Sequence, residues 1–268
     1  MGYNTTGKSH NNGITGEEQT KILIESGKLT SFGLNPTVIK RGGTQYKEDL
    51  LVSEKYKISV KHRDGKSGTY DYVNTSKLDN LIGENFTDLK DYIRSVKHSE
   101  KNKGHTKESI KSIKIATKRK FEELSQTALL SLNSSQIESI VKKSLNSYLN
   151  DPSFYFSITH KQRSSSIIFP AREHPLFKFL NNSVDIKCSL RFGRGKTSAS
   201  VIFEDSSGQE HDFSLRLRLV TNNGMGALLA GKDVSSNPSS QLVFKLQQDK
   251  PDTYIDQIPK QHKEIVKF

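Results

Sequence analysis

Asp49, Ser59 and Lys61 are the residues whose types and spacing suit a reaction at phosphorus. Asp49 lies in Tyr46-Lys47-Glu48-Asp49-Leu50-Leu51-Val52, and Lys61 ends Tyr56-Lys57-Ile58-Ser59-Val60-Lys61. Both segments read as strands, and Ser53-Glu54-Lys55 between them has the length of a hairpin connection. Successive side chains alternate faces, so Ile58 and Val60 can be buried while Ser59 and Lys61 share the opposite face. An acid on one strand then faces a lysine on its neighbour. The chemistry this suits is phosphodiester hydrolysis, with a carboxylate for a divalent cation and an ammonium beside the attacking water. The same two residues also suit an ordinary cross-strand ion pair, worth about 0 to 1 kcal/mol at a surface.

The elements that must position these residues can be read around them. A polar lead-in rich in Thr, Ser and Asn occupies the first dozen residues, and a helix follows from about Glu17 to Ser26, carrying Ile22, Leu23 and Ile24. Pro36 to Lys40 is β-rich, and Asp64-Gly65-Lys66-Ser67-Gly68 is a turn. Tyr70 to Val73 suits a further strand or the next helix start, and Leu89, Tyr92, Ile93 and Val96 recur at helical spacing. Thr106 can cap a long helix whose buried stripe is Ile110, Ile113, Phe121, Leu124 and Ala128. Ser134 and Ser135 begin another, with Ile137, Ile140, Val141, Leu145 and Leu149.

Asn150-Asp151-Pro152 marks a change of texture, and strands follow at 154–159, 166–169, 184–190, 198–203, 213–220 and 242–246, with a short helix around Leu176 to Leu180. The expected organisation is a catalytic core over residues 1–100, a helical connector over 101–150 and a β-rich recognition region over 151–268. The fold class is α/β (α+β), a mixed sheet flanked by helices with a β-rich C-terminal half.

The acid, hairpin and x-x-Lys arrangement resembles the PD-(D/E)xK nucleases, the superfamily that includes most Type II restriction endonucleases. The resemblance implies a restriction-endonuclease-like core in which Asp49 binds metal and Lys61 is the catalytic lysine. Ser59 stands in the slot that usually holds Asp or Glu. A hydroxyl is a weaker, neutral ligand, so a second carboxylate is expected from Glu17 or Glu18, or else a water-mediated contact.

The chain is also similar to the small monomeric MspI-type restriction enzymes. Their helix start, Tyr-Lys-x-Asp strand and polar-Val-Lys strand match Gly13 to Glu17, Tyr46 to Asp49 and Ser59 to Lys61, with Gly16 where that pattern has Asn. Gln241 to Leu246 resembles the strand that closes those proteins. The likeness implies Mg²⁺, with Mn²⁺ able to substitute, held by Asp49, the Val60 carbonyl and Glu17. It implies double-stranded DNA as substrate, 5′-phosphate and 3′-hydroxyl ends, monomeric action and a possible partner methyltransferase.

With 268 residues, the chain is long enough for a substantial core, and its formal net charge of +12 suits a phosphate backbone. Base or phosphate contacts are expected from Arg216 and Arg218, which alternate with Leu215, Leu217 and Leu219. Further contacts are expected from turns: Lys161 and Arg163, Arg194 and Lys196, Asn222 and Asn223, and Lys232, Asp233 and Ser235. Gly193 to Thr197 lacks the first glycine of a P-loop, because position 190 is Leu190, so it reads as a β-turn.

The single cysteine, Cys188, excludes an intramolecular disulfide and a cysteine zinc cluster, and it reads as a core residue. No apolar run approaches spanning length and no signal-peptide core is present, so a soluble cytoplasmic protein is expected. Two other readings stay open: a phage-type nicking, branch-resolving or DNA-degrading nuclease, and a non-catalytic basic nucleic-acid-binding protein.

Overall fold

A computed structural model describes residues 7–40, 48–63, 69–75, 86–100, 107–160, 165–193, 196–221, 242–249 and 251–267. The fold is mixed α/β, with six α-helices among the described residues, one six-stranded mixed sheet and one five-stranded antiparallel sheet. The chain forms two compact units that interleave along the sequence. The first takes residues 1–70, 146–182 and 250–268, and the second takes 71–145 and 183–249.

The first unit is built on the six-stranded sheet. Its strands are β1 (Val38–Lys40), β2 (Leu50–Val52), β3 (Tyr56–Arg63), β5 (Phe154–His160), β6 (Ser165–Pro170) and β12 (Glu264–Lys267), hydrogen-bonded in that spatial order. Pairing is antiparallel except between β3 and β5, which run parallel with Ser59 opposite Phe156 and Lys61 opposite Ile158. The sheet that holds the Asp49 and Lys61 segments therefore continues through strands on the far side of Pro152. The hairpin from β2 to β3 turns at Ser53 and Glu54, both at positive φ (49° and 55°), and closes with Lys55 N–H donating to the Val52 carbonyl at 3.0 Å.

One face of this sheet is covered by α1 (Gly7–Glu25). Leu23 and Ile24 pack with Leu29, Phe32, Leu50, Val52, Ile58 and Ile168, and Val60 lies against the same cluster. Full burial of a side chain such as Ile24 stabilises by roughly 1.5–3 kcal/mol, so this docking anchors the helix. Thr20 adds buried hydroxyl contacts, 2.9 Å to Ser157 and 3.4 Å to Thr159. The helix begins about ten residues before the expected start, inside the polar lead-in. Once the Thr20 to Ile24 turns are docked, each added N-terminal residue gains a hydrogen bond without a new nucleation cost, so polar residues extend it.

The opposite face carries Phe154, Phe156, Phe169 and Phe177, the last from α5 (Pro175–Asn182). Tyr148 joins them from the end of α4 (Ser134–Asn150), with its ring centroid 4.7 Å from that of Phe154 and 5.2 Å from that of Phe156. α4 starts with a reciprocal capping pair, in which Gln136 N–H donates to Asn133 Oδ1 at 2.9 Å and Asn133 N–H donates to Gln136 Oε1 at 3.0 Å. The cap residue is thus Asn133, one position before the serines expected to start the helix.

The second unit contains the sheet ordered β4 (Thr69–Thr75), β11 (Leu242–Asp249), β10 (Leu215–Thr221), β8 (Ser198–Glu204) and β7 (Lys187–Phe192), with β9 (Glu210–His211) on β8. Leu215, Leu217 and Leu219 are buried and Arg216 and Arg218 exposed, as their alternation requires. The second unit also contains α2 (Thr87–Glu100), α3 (Lys107–Leu130) and α4 as far as Leu145, and α6 (Pro251–Asp256) belongs to the first unit. Cys188 is buried, and burial pushes its thiol up to about 12. The chain closes with β12 on β6 in the first sheet, so Gln241 to Leu246, expected as the closing strand, is followed by further structure. No described helix is long and apolar enough to cross a membrane.

Candidate active site

Asp49 is fixed by the backbone of the strand that carries Lys61. Its N–H donates to the Ile58 carbonyl at 2.8 Å, which extends the ladder one residue ahead of β2. One carboxylate oxygen, Oδ2, accepts the Val60 N–H at 2.6 Å and a longer, 3.4 Å contact from the Ser59 hydroxyl. In a strand the N–H and C=O of one residue point to the same side, so the Val60 carbonyl points to the Asp49 edge as well.

Register assigns the faces. Leu50 is opposite Ile58 and Leu51 opposite Lys57, which puts Asp49, Lys57, Ser59 and Lys61 on the face away from α1. Ser59 is 1% exposed, and the Tyr148 phenol lies within hydrogen-bonding reach of its hydroxyl. Ser59 Oγ therefore links the Tyr148 phenol to the Asp49 carboxylate. Burial, and then the nearby Asp49 charge, hold the phenol far above its ordinary pKa, so it stays a neutral donor.

Burial also raises the Asp49 carboxyl above the usual aspartate range. The Lys61 ammonium, the Val60 N–H and the Ser59 hydroxyl pull it down, and they do not overcome the loss of solvent. A carboxylate held this way gains from any cation placed beside it.

Two residues earlier on the same face, Lys57 donates to Asp151 at 2.7 Å. The Asp151 hydrogen bond is the chief cause of the raised Lys57 pKa. Burial opposes the Asp151 charge, yet Lys57 and Ser153 outweigh it and hold the carboxyl low. The Asp151 Oδ1 atom also accepts Ser153 N–H at 2.9 Å, and Lys57 N–H donates to the Ser153 carbonyl at 3.0 Å. This turn fixes the end of α4 against β3, three residues beyond Tyr148.

Glu18, one of the two acids expected near the metal, pairs with Lys40 at 2.5 Å. Glu17 is half-buried, one turn before Thr20 on the helix that covers the opposite sheet face. Tyr46 and Lys47 of the Asp49 motif lie outside the described residues, as do Lys161, Arg163, Arg194, Asn222, Asn223, Lys232, Asp233 and Ser235. Lys196 is exposed in the turn before β8, and Arg216 and Arg218 are exposed on β10. The His62 backbone continues β3, at the alternation position of Val60.

Among the described residues, no group of three or more His, Cys, Asp or Glu side chains is arranged to hold a metal ion. The donors that do converge are oxygens: the Asp49 carboxylate and, by strand geometry, the Val60 carbonyl. That set fits Mg²⁺, which keeps several waters and uses one or two carboxylates instead of a full protein cage. The residue that sequence reasoning missed is Tyr148. Its only sequence signal is its place one residue before Leu149 in the apolar stripe of α4. No protein-family model matches the chain, and no curated protein matches it.

Proposed function

We propose that this protein is a Mg²⁺-dependent, sequence-specific double-stranded DNA endonuclease of the restriction-enzyme type. The observation that carries the reading is the 2.6 Å hydrogen bond from Val60 N–H to Asp49, which fixes the acid beside the strand that presents Lys61 on the same face. A surface ion pair needs no such backbone anchor and no partial burial of its acid.

In this reading Asp49 and the Val60 carbonyl hold Mg²⁺ with waters completing its shell, and Mn²⁺ can replace Mg²⁺. The bound cation neutralises phosphoryl charge and acidifies water. Lys61 positions the attacking water and stabilises charge developing on the phosphoryl oxygens. Ser59, backed by Tyr148, keeps the Asp49 carboxylate aimed. The products are 5′-phosphate and 3′-hydroxyl ends.

The test is incubation of the purified protein with unmethylated plasmid and phage DNA in Mg²⁺ or EDTA, with sequencing of the ends. Discrete Mg²⁺-dependent fragments sharing a terminal sequence support the proposal. A smear or branch-dependent cutting selects a phage-type nuclease. The +12 charge supports one further reading, a non-catalytic nucleic-acid-binding protein, which retention of DNA without cleavage would select.

A further inference from the structure

The helix that carries Glu17 covers the sheet face opposite Asp49, so a second carboxylate for the cation has to come from the Asp49 side of the sheet. The hydrogen bonds of β3 single out Glu48. N–H groups along this strand alternate edges: Val60 N–H points to the β2 side, and Lys57 N–H donates to the Ser153 carbonyl on the β5 side at 3.0 Å. Carrying the Leu50–Ile58 register to the next hydrogen-bonded pair would join Val60 N–H to the Glu48 carbonyl, and Glu48 N–H to the Val60 carbonyl. The Asp49 side chain takes the Val60 N–H instead, at 2.6 Å, and β2 begins only at Leu50. Glu48 is therefore off the ladder and outside the alternation that would have turned it toward α1. The same displacement parts the Val60 carbonyl from Glu48 N–H.

Glu48 is half-buried, and its charge acts on the active face. Burial is the chief cause of the raised Asp49 and Tyr148 values, and the Asp151 bond of the raised Lys57 value, and the Glu48 charge adds to all three shifts. Such effects fade with distance, and Asp49, Lys57 and Tyr148 all lie on the face away from α1, so the Glu48 carboxylate lies near them. Among the described residues Glu48 enters no ion pair, whereas Lys40 holds Glu18. Two neighbouring carboxylates repel until a cation joins them, and Mg²⁺ uses one or two carboxylates. We infer that Glu48 is the second carboxylate ligand of the cation site, with Asp49 and the Val60 carbonyl, in the role the sequence suggested for Glu17. The inference rests on the nuclease reading and deepens it by completing the protein ligands of the metal.

The experiment is titration of the full chain with Mn²⁺, without DNA, followed by electron paramagnetic resonance of the free ion. It compares wild type, Asp49→Asn, Glu48→Gln, Glu48→Asp, Glu17→Gln and Glu54→Gln, each checked for a cooperative melt in EDTA. Glu48→Gln should weaken Mn²⁺ binding by about 100-fold or more, beyond the usual loss for an outer partner. Glu48→Asp, which keeps the charge, should fall between it and wild type, and Glu54→Gln, in the β2–β3 turn, should bind as wild type. Wild-type affinity in Glu48→Gln beside a loss in Asp49→Asn would overturn the inference and leave the nuclease reading standing. A loss in Glu17→Gln with none in Glu48→Gln would also overturn it, and would return the role to Glu17. Wild type that binds no Mn²⁺ would overturn the inference and the metal-dependent reading together. Losses in both Asp49→Asn and Glu48→Gln from a chain that cuts no DNA would uphold the cation site and reject the nuclease.

Discussion

The Asp49 carboxylate accepts the Val60 backbone N–H at 2.6 Å, so the acid is tied to the strand position directly before Lys61. Moving either residue along the sheet breaks this bond, which makes the acid–lysine geometry a property of the β2–β3 register. Lys61→Ala leaves the register intact and removes the cation. Turnover on plasmid DNA should fall by about 100- to 10,000-fold, the usual span for a positioned catalytic group. Duplex binding measured in EDTA should change little.

Asp49 also works against the fold in the absence of a cation. Its folded pKa is raised, so the folded state binds its proton more tightly than the unfolded chain does. Stability from this group is present below the unfolded value and is lost as pH rises through the folded value. At neutral pH, therefore, Asp49→Asn should melt higher than wild type in EDTA. Added Mg²⁺ should raise the wild-type melting temperature and leave Asp49→Asn unmoved. A lower melting temperature for Asp49→Asn in EDTA would contradict the desolvation argument.

Tyr148→Phe removes the hydroxyl bonded to Ser59 and preserves the ring packed on Phe154 and Phe156. Outer partners of a metal ligand typically contribute about 10- to 100-fold in metal affinity or activity. The variant should need about tenfold more Mg²⁺ for half-maximal cleavage at a melting temperature near wild type. A Mg²⁺ titration superimposable on wild type would remove Tyr148 from the site.

His174 gives the first unit an acid limit. It is 1% exposed among Phe169, Phe177 and Tyr254, its Nδ1 accepts Leu176 N–H at 3.3 Å, and its Nε2 has no hydrogen-bond partner. Burial lowers its pKa from 6.5 to about 3. A depressed folded value means that stability is fully present above the unfolded pKa and drains away as pH falls from about 6.5 toward 3. Urea midpoints across that range should fall more steeply for wild type than for His174→Asn, which keeps a capping acceptor and does not titrate. Parallel curves would show that other groups set the acid limb.

The β2–β3 turn carries removable strain. Ser53 and Glu54 both sit at positive φ, where a Cβ is unfavourable and Asn-Gly is the preferred pair. Ser53→Asn with Glu54→Gly should stabilise the fold by roughly 1 kcal/mol in urea denaturation. No change in the midpoint would mean that surrounding contacts already offset the strain.

What the sequence discloses follows from how local each signal is. The alternation of Ile58, Ser59, Val60 and Lys61 fixes two faces by itself, and the same rule separates Leu215, Leu217 and Leu219 from Arg216 and Arg218. The stripe of Ile137, Ile140, Val141 and Leu145 is likewise periodic, and all four are buried. The parallel pairing of β3 with β5 joins Ser59 to Phe156 across nearly a hundred residues, and no local pattern encodes a partner at that separation. Tyr148 reads as one more apolar position of α4, because only that long-range pairing brings its hydroxyl to Ser59. Glu17 and Glu18 stand side by side in sequence, and the helical turn sends Glu18 to Lys40.

The account rests most directly on whether Asp49 and Lys61 form one metal-dependent site. Plasmid DNA incubated with wild type, Asp49→Asn and Lys61→Ala, each with Mg²⁺ and with EDTA, tests this in one gel. The account predicts discrete Mg²⁺-dependent fragments for wild type and intact DNA for both variants, which still retard the duplex in EDTA. Wild-type DNA left intact under all conditions, or fragments from either variant at the wild-type rate, would contradict it.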